Sequence, residues 1–310
     1  MLARRYALQR QLVDHPGERR SHSSATPRGG GVAIVAAILI AVVALALRDP
    51  SQRWLLGGFG AGLLLVAGIG LLDDHRPLPP WPRLAVHGLA GAILAVSIYM
   101  ASGNPWLGVL AFVLAPVLTN VWNFMDGING LAASQALLVS LVLAWLLGGT
   151  WGLLAIAFAA GCAGFLPFNF PRARIFLGDV GSGAIGFGLA GLVSVAAMSR
   201  GAEAVWLLLP LSAFLLDAGL TLLMRLVQGE RWWTAHTRHA YQVWAREGGH
   251  TKVTLAYAGW TAVAVAMAVM SGHRTIAIAL SMCVVVYLLG TGVWLRMQRM
   301  EARTKTTGGK

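Results

Sequence analysis

The sequence predicts an all-α, polytopic membrane bundle of about ten transmembrane helices with both termini cytoplasmic. Three observations carry this. Hydrophobic residues make up 57% of the 310 positions and charged residues only 12%. The apolar residues come in long blocks, close to the roughly 20 needed to cross a hydrocarbon core about 30 Å thick. Twenty of the 24 Lys/Arg fall in segments that share one side of the membrane if the N-terminus is cytoplasmic, which is the positive-inside pattern. The net charge of +12 is therefore explained by topology, and nucleic acid is not expected as a partner.

One domain is expected over 1–310, with a cytoplasmic arm at 1–29, the bundle at 30–295 and a cytoplasmic tail at 296–310. The arm carries Asp14-His15-Pro16 and Thr26-Pro27-Arg28-Gly29-Gly30-Gly31 and reads as loop. It is polar and basic, without the pattern of a cleavable leader. The Arg28-Gly-Gly-Gly stretch suits a loop facing phosphate, against the plainer reading of a basic segment attracted to anionic lipid.

Spans are expected at Gly30–Leu47, Trp54–Leu72, Leu84–Met100, Trp106–Val121, Leu131–Leu147, Trp151–Phe168, Gly183–Met198, Ala204–Met224, Val253–Ser271 and Thr275–Leu295. The second ends in Asp73-Asp74-His75-Arg76 before a proline-rich turn. Neighbouring helical residues point about 100° apart, so only one carboxylate should face any given site. The fourth span delivers Asn120-x-x-Asn123-x-x-Asp126-Gly127-Ile-Asn129-Gly130. The two three-residue steps put Asn120, Asn123 and Asp126 on one helical face, and polar groups at a membrane are expensive and functional by default.

The loop at 167–182 holds Asn169 and then Gly178-Asp179-Val-Gly181-Ser182 directly before a span. Its glycines allow a tight turn with exposed N–H groups. Asp179 offers the hard oxygen that Mg²⁺ prefers, and the helix start favours phosphate. Asp179 and Ser182 are equally readable as helix caps. Asp217 inside the eighth span needs a partner, for which Arg225 two turns on is a candidate. It reads as a structural ion pair or a catalytic group. The last large loop holds Arg231-Trp232-Trp233-Thr-Ala-His236-Thr-Arg238-His239. Two His with Arg231 and Arg238 suit pyrophosphate better than zinc, and the tandem Trp reads as an interfacial anchor. Cys162 and Cys283 lie in apolar blocks and imply neither disulfide nor metal site. The last two spans read as scaffold. The acids other than Asp49 and Glu203 crowd one face, whereas a cation-coupled transporter should hold its ionisable groups near the midplane between repeats.

These motifs resemble the polyprenyl-phosphate N-acetylhexosamine-1-phosphate transferases, of glycosyltransferase family 4 type. The resemblance rests on the Asp73-Asp74 helix end, Asn120 to Gly130, Phe176-Leu-Gly-Asp179-x-Gly-Ser and Thr26-Pro-Arg-Gly-Gly-Gly, in order through the first eight spans. It implies transfer of a sugar-1-phosphate from a UDP-N-acetylhexosamine to undecaprenyl phosphate, with Mg²⁺ (Mn²⁺ as the alternative ion), at the cytoplasmic face of a bacterial inner membrane. Implied catalytic residues are Asp73, Asp74, Asp126, His236 and His239, with Asp73 or Asp74 near the lipid phosphate and Asp179 as metal ligand. Implied substrate-binding residues are Asn120, Asn123, Asn129, Arg28, Asn169 and Arg238. A homodimer is a further expectation. The sparse His-Thr-Arg-His resembles the branch that initiates O-antigen or related surface glycans, with UDP-GlcNAc, UDP-GalNAc or UDP-FucNAc as donor. The phospho-N-acetylmuramoyl-pentapeptide transferases are the alternative. Members of the family usually have another span ahead of the Asp-His-Pro arm, so the resemblance implies either an upstream start or a shortened enzyme.

Overall fold

The computed structural model describes residues 2–14, 25–231, 233–234, 236–271 and 275–307. His15, His22 and Trp232 lie outside the described residues. Twelve helices and one short ladder are described: α1 Leu2–Gln9, β1 Val13–Asp14, β2 Thr26–Pro27, α2 Val32–Arg48, α3 Arg53–His75, α4 Pro80–Ser102, α5 Pro105–Phe124, α6 Leu131–Leu147, α7 Gly149–Asn169, α8 Asp179–Arg200, α9 Leu208–Val227, α10 Ala240–Gly248, α11 His250–Ser271 and α12 Ile276–Thr307. Every expected span has its helix. Seven helical stretches are long and apolar enough to cross a membrane, one of them the Asp179–Val227 run that contains both α8 and α9. Val32–Arg48 and Leu131–Leu147 are shorter apolar helices. The protein is a multi-pass membrane bundle.

Two expectations change. The arm is not all loop: α1 is helical, with the Tyr6 hydroxyl 3.0 Å from His75 Nε2 at the end of α3, and β1 pairs antiparallel with β2. The loop after α9 also hides α10, which is too short and too polar to register as a span.

Helix α8 is the post around which the others stand. Every residue from Val180 to Ala197 is buried, and α2, α3, α5 and α6 all pack on it. Its small residues make this approach feasible, since association in lipid depends on close backbone contact. A Cβ on Gly186 would lie 2.2 Å from the Leu118 carbonyl oxygen, and one on Gly31 would lie 2.1 Å from Gly181 Cα. The large apolar side chains left exposed, such as Ile40, Val96, Phe112 and Leu288, belong to outward faces suited to lipid.

Candidate active site

Asp73 and Asp74 end α3 and part company. Asp74, only 1% exposed, accepts hydrogen bonds from the backbone N–H groups of Asp179 (3.1 Å) and Val180 (3.2 Å). It is thus an N-terminal cap supplied to α8 by another helix, in charge-favourable register with that helix's dipole. The expectation that the N–H groups at this helix start would be exposed to phosphate, with Asp179 and Ser182 as the capping residues, is corrected: the Asp74 carboxylate already occupies the first two. Gly178, at φ +76°, turns the chain into α8, and a Cβ there would lie 2.5 Å from Asp74 Oδ2. Arg28 donates to the Asp74 carbonyl and holds its Nε 3.8 Å from the carboxylate. The Thr26–Gly31 segment is fixed in turn by Gly30 N and Gly31 N donating to Phe176 O and Leu177 O.

Asp73 faces the other way, into a cluster. Its carboxylate accepts from Leu78 N (2.6 Å) and from Arg83 Nη1 (2.8 Å). The same Arg83 nitrogen lies 3.4 Å from Asp179 Oδ2, while Arg83 Nη2 donates to Asn123 Oδ1 (3.2 Å). Asn123 Nδ2 donates to Asp179 Oδ1 (2.9 Å) and Ser182 Oγ (3.1 Å). Four helices, α3, α4, α5 and α8, thereby place two carboxylates, a guanidinium and an amide around one point. Arg83 escaped the sequence reading because it stood among the loop cations of the positive-inside count. Its place one turn into α4, behind the proline-rich turn, was the available signal.

Asp126 lies in the 125–130 turn. Burial, reinforced by the Asp179 and Asp74 carboxylates, pushes it well above the usual carboxylate range. The other amides have structural partners. Asn169 Oδ1 accepts from Gly130 N (2.7 Å) and its Nδ2 donates to Ile175 O (3.0 Å). Asn129 Nδ2 donates to Pro171 O (3.0 Å). Asn120 Nδ2 turns back to Pro116 O in its own helix (2.7 Å). The structure brings Asn123, Asp179, Asp73 and Arg83 together and gives Asn120, Asn129 and Asn169 to the backbone around them.

The histidine loop is held by two buried charges. Asp217 accepts from the backbone N–H groups of Ala240 (2.8 Å) and Tyr241 (3.0 Å) and from the Tyr257 hydroxyl (2.8 Å), with His239 Nδ1 at 3.6 Å. It caps α10. Its expected partner, Arg225, is elsewhere: at 2% exposure Arg225 donates to Glu230 Oε2 (2.9 Å), Arg231 O (2.9 Å) and Thr234 Oγ1 (2.8 Å). An eight-residue step along one helix was the wrong inference, because a loop residue five positions on and the start of a later helix were the nearer partners. Arg238 also pairs with Glu230 and Gln228. The His236 and His239 rings lie 4.8 Å apart, and His239 stacks near Phe124 and Tyr241. The Tyr241 hydroxyl donates to Phe124 O (3.0 Å), joining α10 to the Asp126 turn. Burial, with the nearby His239 and Arg225, pulls His236 down to about 4, so it is neutral at pH 7. The reading of α11 as plain scaffold is corrected by Tyr257 and by Thr254, whose hydroxyl donates to Asn129 O (2.8 Å).

Glu230 gives the loop a pH dependence. The Arg225 hydrogen bond, aided by Arg238, holds its carboxyl below the ordinary 4.5. A depressed carboxyl contributes stability above its unfolded value and loses it as pH falls through the folded one. Amide protection, measured relative to intrinsic exchange at 229–231 and 236–240, is expected to fall as pH drops below about 4.5, and Glu230→Gln should show low protection at neutral pH with no acid step. Identical exchange at neutral pH in both proteins would refute the assignment.

Residues 55–197 match the family described as glycosyl transferase family 4. Over that stretch the chain is similar to members of glycosyl transferase family 4. It is 31% identical over 223 residues to a decaprenyl-phosphate N-acetylglucosaminephosphotransferase of Mycobacterium leprae, covering 60% of this chain and 55% of that protein. It is 33% identical over 187 residues to an undecaprenyl-phosphate alpha-N-acetylglucosaminyl 1-phosphate transferase of Thermotoga maritima (58% of this chain, 56% of that protein). It is 29% identical over 293 residues to a phospho-N-acetylmuramoyl-pentapeptide-transferase of Heliobacterium modesticaldum (84% and 87%). The chain spans about half the length of the first two relatives.

The family 4 region holds Asp73, Asp74, Arg83, Asn123, Asp126 and Asp179, while Asp217 and the histidine loop lie beyond it. Its carboxylates fit a hard divalent cation. Asp73 and Asp179 both approach the same guanidinium nitrogen of Arg83, Nη1, and Mg²⁺ uses one or two carboxylates with water and phosphate oxygens completing its shell. Among the described residues, no three His, Cys, Asp or Glu side chains gather in metal-binding geometry, so a cation here would lean on its substrate's phosphates.

Proposed function

We propose that this protein transfers N-acetylhexosamine-1-phosphate from a UDP-sugar to undecaprenyl phosphate, releasing UMP, at the cytoplasmic face of a bacterial inner membrane. The product would start a surface glycan of O-antigen type. The observation that carries the reading is the Asp73–Arg83–Asp179–Asn123 cluster, which suits phosphate chemistry at a membrane boundary. The names of the relatives support it. In the reaction a phosphate oxygen of the lipid attacks the β-phosphorus of the donor, the bond from that phosphorus to the bridging oxygen breaks, and UMP leaves with the electron pair.

Positioning and charge neutralisation dominate such transfers. Mg²⁺ held by Asp73 and Asp179 would neutralise pyrophosphate charge in that step. Arg83 would hold anionic oxygens beside the two carboxylates, and Asp73 would accept a proton from the lipid phosphate. Asn123 orients Asp179. His236, neutral at pH 7, can donate or accept one hydrogen bond at the donor, and Arg28 keeps the Asp74 cap in register. The activity test is UMP release by the purified protein with undecaprenyl phosphate, Mg²⁺ and a panel of UDP-N-acetyl sugars, with EDTA as control. Release that requires lipid phosphate and metal is the expected result; silence across the panel from folded protein would sink the reading. A second reading, transfer of phospho-N-acetylmuramoyl-pentapeptide, is favoured by the long match to the Heliobacterium protein. UDP-N-acetylmuramoyl-pentapeptide in the panel separates the two.

The two adjacent aspartates should respond differently. Asp73→Ala is expected to cut UMP release by about a hundredfold while leaving thermal stability near that of the parent. Asp74→Ala strips the cap from α8 and is expected to lower stability by about 1–2 kcal/mol. Equal stability losses in the two variants would remove the division of labour.

A further inference from the structure

Helices α11 and α12 both pack along α9 but hardly against each other. They meet through Ala264, Ala268, Ala279 and Cys283 toward the side away from the histidine loop. Nearer the loop a cavity of about 200 Å³ opens between them, with Trp244, Tyr257, Trp260, Trp294 and Met297 in its lining. Its one charged lining residue, Asp217, is already satisfied by α10 and Tyr257. An apolar cavity of about 150 Å³ stays dry and takes up a hydrocarbon of matching size. This one is larger, and its rim residue Val293 is 46% exposed on a helix face turned to lipid.

Two observations identify the occupant. Ala240 and Trp244 line the cavity from one face of α10, while Tyr241 on another face bonds Phe124 beside the Asp126 turn. Helix α10 thus separates the cavity from the carboxylate cluster, so a lipid whose phosphate sits at Asp73 is a poor fit. At the loop end of the same cleft, α11 carries Lys252 and α12 carries Arg296 and Arg299, all exposed, against one exposed acid among the described side chains there, Glu247. Gln298 Nε2 donates to Arg238 O (2.8 Å), which sets this end of α12 at the level of the loop. Cationic clusters between helices at a membrane surface recognise anionic headgroups.

We propose that the cleft between α11 and α12 binds an anionic phospholipid, one acyl chain in the Trp-lined cavity and its headgroup on Lys252, Arg296 and Arg299. The chain would support α10 from behind and steady the His239 end of the loop. The test needs no catalytic turnover. Delipidated protein in detergent is unfolded thermally against dioleoyl phosphatidylglycerol, dioleoyl phosphatidylcholine or undecaprenyl phosphate. Phosphatidylglycerol should raise Tm saturably, by about 5 °C at a hundredfold excess over Kd, and phosphatidylcholine should need about a tenfold higher concentration. Ala256→Phe fills the cavity from α11, and Val293→Trp blocks its exposed rim, where folding is least at risk. Both should keep the lipid-free Tm and lose the rise. Arg296→Gln/Arg299→Gln should erase the preference for phosphatidylglycerol. An undiminished rise in both blocking variants, equal potency of the two phospholipids, or a blockable rise produced only by undecaprenyl phosphate would overturn the assignment.

Discussion

Asp179→Asn is expected to reduce UMP release by at least about a hundredfold, with the protein still folded. The substitution conserves shape and changes charge. One amide oxygen can still accept from Asn123 Nδ2, as Asp179 Oδ1 does at 2.9 Å. The backbone N–H of residue 179 keeps its bond to Asp74 at any side chain, so the start of α8 is untouched. What is lost is one of the two negative charges that converge on Arg83 Nη1. A cation binding there would face half the charge, and Arg83 would close on Asp73 alone. The measurement is UMP release at saturating Mg²⁺ beside a thermal unfolding curve. Near-parent turnover would remove Asp179 from the reacting centre.

Asp217→Ala is expected to give the largest loss of stability. It leaves two backbone N–H groups at the start of α10 and the Tyr257 hydroxyl without their acceptor. Hydrogen bonds to a charged group contribute about 1.5–3 kcal/mol each, so a loss of about 3 kcal/mol or more follows. Activity should fall as well, because His239 and Tyr241 are placed by the same bonds, although Asp179 and Asp73 are untouched. Asp217→Asn keeps one acceptor oxygen and should fall between the parent and Asp217→Ala. Amide exchange through 239–248 with a melting curve reads both effects. An unchanged melting temperature in Asp217→Ala would show that α10 is held by packing alone.

The spans were legible because apolar blocks of bilayer length are imposed by the solvent, whatever the fold. Asp73 and Asp74 were legible as two groups pointing apart, since that follows from helical pitch. Which one caps another helix and which joins the Arg83 cluster was not, because the deciding partner, the start of α8, lies 105 residues away. Local spacing misled at Arg225, where Gly229, at φ +71°, turns the chain so that Glu230 returns to it. Tyr257 was hidden within an apolar helix whose neighbours have no claim on Asp217. Pattern reports what a helix must do for itself; it is silent on what it does for a helix made later.

That last point bears on how the chain is made. Arg225 and Glu230 are five residues apart and leave the ribosome almost together, so their charges can meet as α9 enters the membrane. Asp217 has no charged companion so near, only the Thr221 hydroxyl one turn along its own helix (3.2 Å). Its acceptor positions are answered by Ala240, Tyr241 and Tyr257, the last synthesised forty residues later. Until then α9 holds an uncompensated carboxylate at a cost of about 2.5–3.5 kcal/mol if it sits at mid-bilayer. The insertion machinery therefore receives α9 as an unfinished helix, whose acid is answered only as α10 and then α11 arrive.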